Sequence, residues 1–157
     1  MRASTILAAA LAAAFLPPAS AQEAFDACNV FTQADAEKVL GAAAAGDAAN
    51  PKAKRPKVVT QCTYSGFREG KAVAATTQFR IARNNEEAQR AFEEARLQHQ
   101  TKPMLLSGGE MFWAGKAGVM HMRKGRAMAT LTVGPSKIAE RDPNEAKKLA
   151  EILAAKL

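Results

Sequence analysis

The sequence predicts an α+β fold: an antiparallel sheet of about five strands with helices packed on one face, in the order α-β-β-α-β-β-β-α. Three segments begin at a helix-capping residue and continue with apolar residues every three or four positions, the period of an amphipathic helix. Five shorter segments have strand character, with apolar and polar residues alternating. Helices interspersed with hairpin strands are typical of an α+β layer.

The first helix is predicted to begin after Thr32. Thr32 is a good N-cap, and Asp35 stands at the capping-box position three residues later. Gly41 or Gly46 lies near the predicted end. The predicted apolar stripe comprises Ala36, Val39, Leu40 and Ala43.

Two paired strands are predicted next, at residues 58–67 and 72–81. Glu69-Gly70 supplies the turn between them. A two-residue loop at that turn places Cys62 opposite Thr77 on the buried side of the hairpin.

The second half of the chain predicts two more helices and three strands. The second helix runs from Asn84-Asn85 to about Gln98, and the third begins at Asp142 with Pro143 in the first turn. Between these helices the predicted strands span residues 111–114, 119–123 and 127–133. We expect the last two to pair around a turn at Lys124-Gly125.

The first 21 residues have the features of a secretory signal peptide. Arg2 gives a positive start, residues 6–16 form an uncharged apolar run, and Ala19-Ser20-Ala21 provides a small-residue cleavage site. The run is too short for a membrane span. We therefore expect a mature protein of residues 22–157, a single α+β domain in the periplasm or outside the cell.

The charge of the chain is moderately basic. Loss of Arg2 with the leader would lower the formal net charge from +7 to +6. Such a balance favours anionic partners, although the charges are scattered and also suit simple solubility. We expect an envelope protein, a glycan or an anionic ligand as partner. Nucleic acid is disfavoured because basic residues interleaved with aromatic residues are missing.

Cys28 and Cys62 are the two cysteines of the chain. In an oxidising compartment an even pair most simply forms a structural disulfide. A lipid-attachment role for Cys28 is disfavoured because Asp26 stands where a lipobox needs a small residue. A redox role is disfavoured because the cysteines are not in a Cys-x-x-Cys arrangement.

A metal site is one alternative function. With a turn at Lys124-Gly125, His121 would lie opposite Met128 on the outer face of the sheet, and an imidazole with a thioether suits soft copper. Neighbouring Arg123 would repel a cation, so we expect no metal or other cofactor. His99 more simply ends the second helix.

Catalytic signatures are sparse. With two histidines and both cysteines expected to be paired, nucleophilic triads have few possible members. Zinc-protease, nucleophile-elbow and phosphate-loop motifs are absent from the sequence. We therefore predict no catalytic residues, and a small hydrolase is the weaker alternative.

Two surfaces remain for binding. The outer sheet face is predicted to be polar and free of a covering helix, and its candidate ligand-binding residues are Arg80, His121, Arg123 and Thr130. The basic loop at residues 52–57 could grip an anionic partner, although a solvated connector explains it as well.

Five short motifs are spread over the predicted mature chain: Cys28-Asn29-Val30-Phe31-Thr32 before a helix ending at Gly41, Cys62-Thr63-Tyr64-Ser65, the segment from Gly108 to Trp113, Arg123-Lys124-Gly125 and an Ala-Lys-Lys-Leu-Ala helix. Together they resemble a family of small secreted bacterial α+β domains of unknown function, found in envelope lipoproteins and extracellular sensor modules. The resemblance implies paired cysteines and an α+β sheet, and it implies no catalytic residues. Together these observations predict an exported binding or sensor module.

Overall fold

The computed structural model describes residues 25–46 and 59–157. The predicted signal peptide, residues 1–21, and the basic loop, residues 52–57, lie outside the described residues. The described chain is α+β and contains a seven-stranded sheet in the order β1-β2-β3-β7-β6-β5-β4, with every neighbouring pair antiparallel. None of its helices is both long and apolar enough to cross a membrane.

The described elements follow one another in this order: α1 Ala27–Val30, α2 Gln33–Leu40, β1 Ala44–Gly46, β2 Val59–Arg68, β3 Lys71–Ile81, α3 Asn85–Gln98, β4 Met104–Leu106, β5 Gly109–Ala114, β6 Val119–Lys124, β7 Ala127–Gly134, a 3-10 turn Ile138–Glu140 and α4 Pro143–Ala154.

The prediction of about five strands was wrong, because β1 and β4 are additional edge strands. Each has three residues, too few to show a period of two. The β1 sequence, Ala-Ala-Gly, also lacks the branched and aromatic residues that favour strands. It pairs with β2 at Gly66, where an added Cβ would lie 2.4 Å from the carbonyl oxygen of Ala43. The predicted element order is incomplete for the same reason, and it also omits the short helix α1.

The helix starts agree with their predicted caps. The Thr32 side chain accepts a hydrogen bond from the backbone N–H of Asp35, the Asp35 carboxylate accepts one from the backbone N–H of Thr32, and α2 ends at Gly41. Asp142 caps α4 in the same way by accepting from Asn144, with Pro143 in the first turn. These local signals place the helices reliably because they satisfy N–H groups that have no partner within the helix.

One face of the sheet, called here the inner face, carries the main core. Helices α1, α2 and α4 pack on it. A disulfide joins Cys28 of α1 to Cys62 of β2 and closes a separation of 34 residues, as predicted. Ion pairs from Arg68 to Glu145 and from Lys156 to Asp35 link the elements at the margin of this face. Its largest fully buried side chains are Phe31, Phe79, Leu40, Met111, Met120, Met122, Leu131, Leu149, Leu153 and Val133.

The prediction that all helices lie on one face was wrong, because α3 packs on the opposite, outer face. Phe92 of α3 contacts Phe112 of β5, with ring centroids 5.1 Å apart. Phe112 points away from its neighbour Met111, which belongs to the inner core. Alternation shows that a strand has two faces but not which face a helix will cover. The apolar run from Met111 to Ala114 was the available signal, since a strand without alternation is buried on both sides.

The two long hairpins differ in how well their turns were predicted. Glu69 and Gly70 both have positive φ, 52° and 75°, and Cys62 lies opposite Thr77 as expected. In the β6–β7 hairpin the central residues are Gly125-Arg126 and not Lys124-Gly125, since Lys124 pairs with Ala127. Gly125 has φ 56° at the first central position, which is the glycine position of a type II′ turn.

The changed turn shifts the pairing along β7 by two residues. His121 therefore lies opposite Thr130, and Met128 lies opposite Arg123. A two-residue shift keeps every side chain on its predicted face, so His121 still lies on the outer face while Met120 and Met122 are buried on the inner one.

Candidate functional site: a pocket beneath helix α3

The outer face contains a pocket of about 200 Å³ where α3 leaves the sheet partly uncovered. Strands β2, β3, β6 and β7 form its floor, and α3 forms one wall. Its described lining residues are Val59, Gln78, Arg80, Phe92, Ala95, His121, Met122, Met128, Ala129 and Thr130. The pocket exists because α3 covers the β5–β6–β7 side of the sheet with small side chains and Phe92, and does not extend over β2.

A row of four polar side chains runs across the outer face, and three of them, Gln78, Thr130 and His121, line the pocket. Gln61, Gln78, Thr130 and His121 stand opposite one another on successive strands. The Gln78 amide Nε2 donates to Gln61 Oε1 at 2.9 Å, and Thr130 Oγ1 lies 3.2 Å from His121 Nδ1. These contacts fix the side chains in place and leave part of their hydrogen-bonding capacity facing the pocket.

His121 ends this row beneath α3. Its ring stacks on Phe112 with centroids 4.7 Å apart, and the ring of His99 lies 5.7 Å away. Burial and, to a smaller extent, the nearby charge of His99 together lower the pKa of His121 to about 4. His121 is therefore neutral at neutral pH and offers both a donor and an acceptor nitrogen.

Arg80 supplies positive charge at the rim of the pocket. Its Nη2 donates to Glu87 Oε1 at 2.7 Å, while the Arg83 Nε donates to the other oxygen, Oε2, at 2.9 Å. The hydrogen bonds from Arg83 hold the pKa of Glu87 below its usual range, so Glu87 is ionised at neutral pH. One carboxylate thus serves two guanidinium groups, and the cluster keeps one net positive charge.

Arg80 also has one hydrogen-bond donor that is not used by the described residues. Its Nε is buried and has no hydrogen-bond partner among residues 25–46 and 59–157. A buried donor without a partner costs roughly 1–3 kcal/mol, so a ligand oxygen that reached it would recover that energy.

Apolar side chains complete the lining. Phe92 is fully buried, Ala95 and Met128 pack against the same cluster, and Val59 is 47 % exposed at the open side. Sequence reasoning did not place Phe92 or Ala95 at the site, because it assigned the apolar stripe of α3 to the inner face.

The four predicted ligand-binding residues do not all meet. Arg80, His121 and Thr130 line the same pocket, but Arg123 is not among its described lining residues. Arg123 lies 3.5 Å from Glu110 through Nη2 and donates to the Gly125 carbonyl at 3.4 Å through Nη1. Its place opposite Met128, at the β6–β7 turn, holds it in these contacts.

The observed register of β6 and β7 changes the predicted copper site at His121 and Met128. Met128 does not lie opposite His121, although both line the pocket. In the described part of the chain, no group of three or more His, Cys, Asp and Glu side chains is arranged to hold a metal ion.

Comparison with known proteins gives no family for this chain: no family model, curated protein or solved structure matches it. The resemblance to small secreted bacterial domains therefore stays a prediction.

Proposed function

We propose that this protein is an exported, non-catalytic binding module that holds a small anionic ligand in the pocket beneath α3. The observation that carries the proposal is the guanidinium cluster at the rim. Glu87 neutralises only one of Arg80 and Arg83, and Arg80 has a buried Nε without a partner among the described residues. A carboxylate, sulfonate or phosphate oxygen satisfies both the charge and the donor.

The remainder of the lining supports a ligand with a short apolar body. Phe92, Ala95 and Met128 offer apolar contact, while Gln78 and Thr130 offer hydrogen bonds. The volume of about 200 Å³ lies below the roughly 300–1,000 Å³ of pockets for drug-sized ligands. An aliphatic acid of a few carbons fits this description better than a nucleotide or an oligosaccharide.

Binding is favoured over hydrolysis by the surroundings of the imidazole. Thr130 Oγ1 and His121 Nδ1 lie at hydrogen-bond distance, which is the spacing of a nucleophile and its base. However, the described lining contains no carboxylate to orient the ring and support its charge. A ring whose pKa is about 4 is also a poor proton acceptor near neutral pH.

Export is supported by the predicted leader together with the disulfide between Cys28 and Cys62. Expression of the complete chain in a bacterium, followed by fractionation and intact-mass analysis, tests this part. We expect a polypeptide beginning at Gln22 in the periplasm or medium, with two hydrogens fewer than the reduced mass. Unprocessed chain with two free thiols in the cytosol would contradict it.

Calorimetric titration tests the ligand class. The probes are unbranched carboxylates of two to six carbons, the matching sulfonates and phosphates, and the neutral amides of the same chains. We expect binding of at least one acid series, no binding of the amides, and weaker binding at high salt.

The matched variants are Arg80→Gln and Arg83→Gln. Either change leaves Glu87 paired with one arginine, so neither creates an isolated carboxylate. We expect Arg80→Gln to weaken acid binding about tenfold, which corresponds to about 1.4 kcal/mol. Arg83→Gln also makes the cluster neutral, but the Arg83 side chain is 87 % exposed and does not line the pocket, so this change should weaken acid binding only about twofold. Equal effects of both variants, or equal binding of acids and amides, would overturn the proposal.

A further inference from the structure

The two histidines of the chain lie side by side, although they belong to different elements. His99 is the C-cap of α3, and His121 lies in β6 on the outer face. Their ring centroids are 5.7 Å apart with an angle of 31° between the ring planes. The anion pocket uses His121 but not His99, so this pairing needs its own explanation.

We propose that His99 and His121 form a two-imidazole chelate for a divalent d-block cation of the Cu²⁺ or Zn²⁺ type. A metal-bound imidazole nitrogen lies about 2.0–2.1 Å from the ion, which puts each ring centroid about 3.2 Å from it. Two such rings have centroids about 5 to 6.4 Å apart as the angle at the metal opens from tetrahedral to linear. The observed 5.7 Å falls within this interval.

The surroundings of His121 prepare it as a ligand. Its Nδ1 lies 3.2 Å from Thr130 Oγ1, so a Nδ1–H can donate to that hydroxyl and leave the lone pair of Nε2 for a metal. Nε2 has no hydrogen bond within the part of the chain that the structure describes. Stacking on Phe112, with an angle of 24° between the planes, fixes the orientation of the ring.

The end of α3 favours a cation beside His99. The last carbonyl groups of a helix carry the negative end of its dipole, and His99 stands at that end. Two arginines near these histidines in the sequence have acidic partners: Arg96 pairs with Glu93 at 2.6 Å, and Arg123 pairs with Glu110 at 3.5 Å. Two protein ligands leave the other coordination positions to water, so the site would exchange its metal.

The chain has no other histidine, so titration of tag-free protein with Cu²⁺ alone and with Zn²⁺ alone reports on this pair directly. We expect one ion per chain, with Cu²⁺ bound more tightly than Zn²⁺. Loss of either ring should weaken binding at least about tenfold, since the second ligand of a chelate is supplied at high effective concentration. The variants are His99→Gln and His121→Gln, and Gln98→Ala, exposed on the same helix, is the control.

His121→Gln could disturb the stack on Phe112, so a second measurement keeps the result clear. In the unmodified protein, both imidazole rings should change together in ¹⁵N NMR spectra as Zn²⁺ is added, and the melting temperature should rise. Response of one ring alone, unchanged affinity in His99→Gln, or a stoichiometry below one ion per chain would overturn the proposal. Tight Cu⁺ binding that depends on Met128 and not on His99 would overturn it as well.

The metal site and the anion pocket are separable by single variants. His99→Gln should lose metal binding and keep acid binding measured in EDTA, whereas Arg80→Gln should lose acid binding and keep metal binding. If His99→Gln binds metal normally while Arg80→Gln loses acid binding, the chelate is wrong and the proposed function stands.

Discussion

The two faces of this sheet share the same strands but are built differently. The inner face is closed by α1, α2 and α4, and its apolar side chains form one large cluster. Among the residues that the structure describes, the outer face is covered by α3 alone, and its buried cluster comprises Phe92, Phe112 and Ala114. Beside that group lie half-buried polar side chains and the pocket.

This difference separates stability from binding. Burial of apolar area is the main source of folding free energy, and most of it lies on the inner face. The outer face keeps polar groups in positions where a ligand can satisfy them, because a single helix with small side chains leaves space next to it. Substitutions on the inner face should therefore act mainly on stability, whereas substitutions on the outer face should act mainly on binding.

The largest effect is expected from a pair of neighbours on β7 that point to opposite faces. Leu131 is fully buried on the inner face, whereas Thr130 is half-buried on the outer one. We expect Leu131→Ala to lower the free energy of unfolding by about 3 to 5 kcal/mol. Thr130→Val, which loses the contact with His121, should lower it by about 1 kcal/mol. Urea denaturation measures both, and equal losses would contradict the division between the faces.

Removal of the disulfide is the next largest change. The link between Cys28 and Cys62 closes a separation of 34 residues, so the double change to serine should lower stability by about 3 to 4 kcal/mol in the chain-entropy model. Because the bond lies on the inner side, hydrogen exchange in α3 should follow the global loss and show no extra local opening. Selective loss of α3 protection would mean that the two faces are not independent in this way.

The outer face should make stability depend on mildly acidic pH. The folded pKa of His121 is about 4, against about 6.5 in the unfolded chain. Between these values the unfolded state binds the proton and the folded state does not. The contribution of His121 to the free energy of unfolding is therefore fully present above about pH 6.5 and is lost as the pH drops towards 4. In metal-free buffer we expect this group to contribute a loss of about 2 to 3 kcal/mol.

His121→Gln supplies the control for that pH dependence. Urea denaturation at pH 7.5 and pH 4.5 should show a smaller difference between the two values in the variant than in the parent. An identical difference in both proteins would show that His121 is not the titrating group. Asp35 contributes to the pH dependence of stability at more acidic pH. Burial raises its pKa, but the hydrogen bonds from Lys156 and Thr32 and the charge of Lys156 together outweigh burial, so the pKa of Asp35 lies below its usual range.

The smallest effect is expected at the start of α2, on the inner side. Thr32→Ala removes the side chain that accepts from Asp35, and capping residues are worth about 1 kcal/mol. Gln33→Ala, at the next and exposed position, should change stability by less than about 0.5 kcal/mol. Thermal unfolding of the two variants measures the contrast. A stability loss in Thr32→Ala no larger than that in Gln33→Ala would contradict the assignment of Thr32 as the N-cap.

The inner face was more predictable from sequence than the outer face. Caps at Thr32 and Asp142, the turn at Glu69-Gly70 and the pairing of Cys28 with Cys62 are local or few-membered signals, and all were found. The edge strands β1 and β4 were not predicted, because three residues are too few to show a period of two.

The pocket depends on information that is not local. Arg80, His121 and Thr130 could be placed on the outer face by alternation alone. The position of α3 over the outer face could not be predicted in this way. Its apolar stripe of Ala88, Ala91, Phe92 and Ala95 suits either side of a sheet. The proximity of His99 to His121 follows from the placement of α3, so it could not be predicted from the sequence either.

The central claim is that the uncovered part of the outer face binds a small acid, and amide chemical-shift mapping with butyrate tests it most directly. The account predicts changes that saturate and are confined to β3, β6, β7 and α3 around Arg80, His121 and Thr130, with inner-face amides such as that of Leu149 unmoved. Changes centred on the inner face, or a response to butyramide equal to that to butyrate, would contradict it.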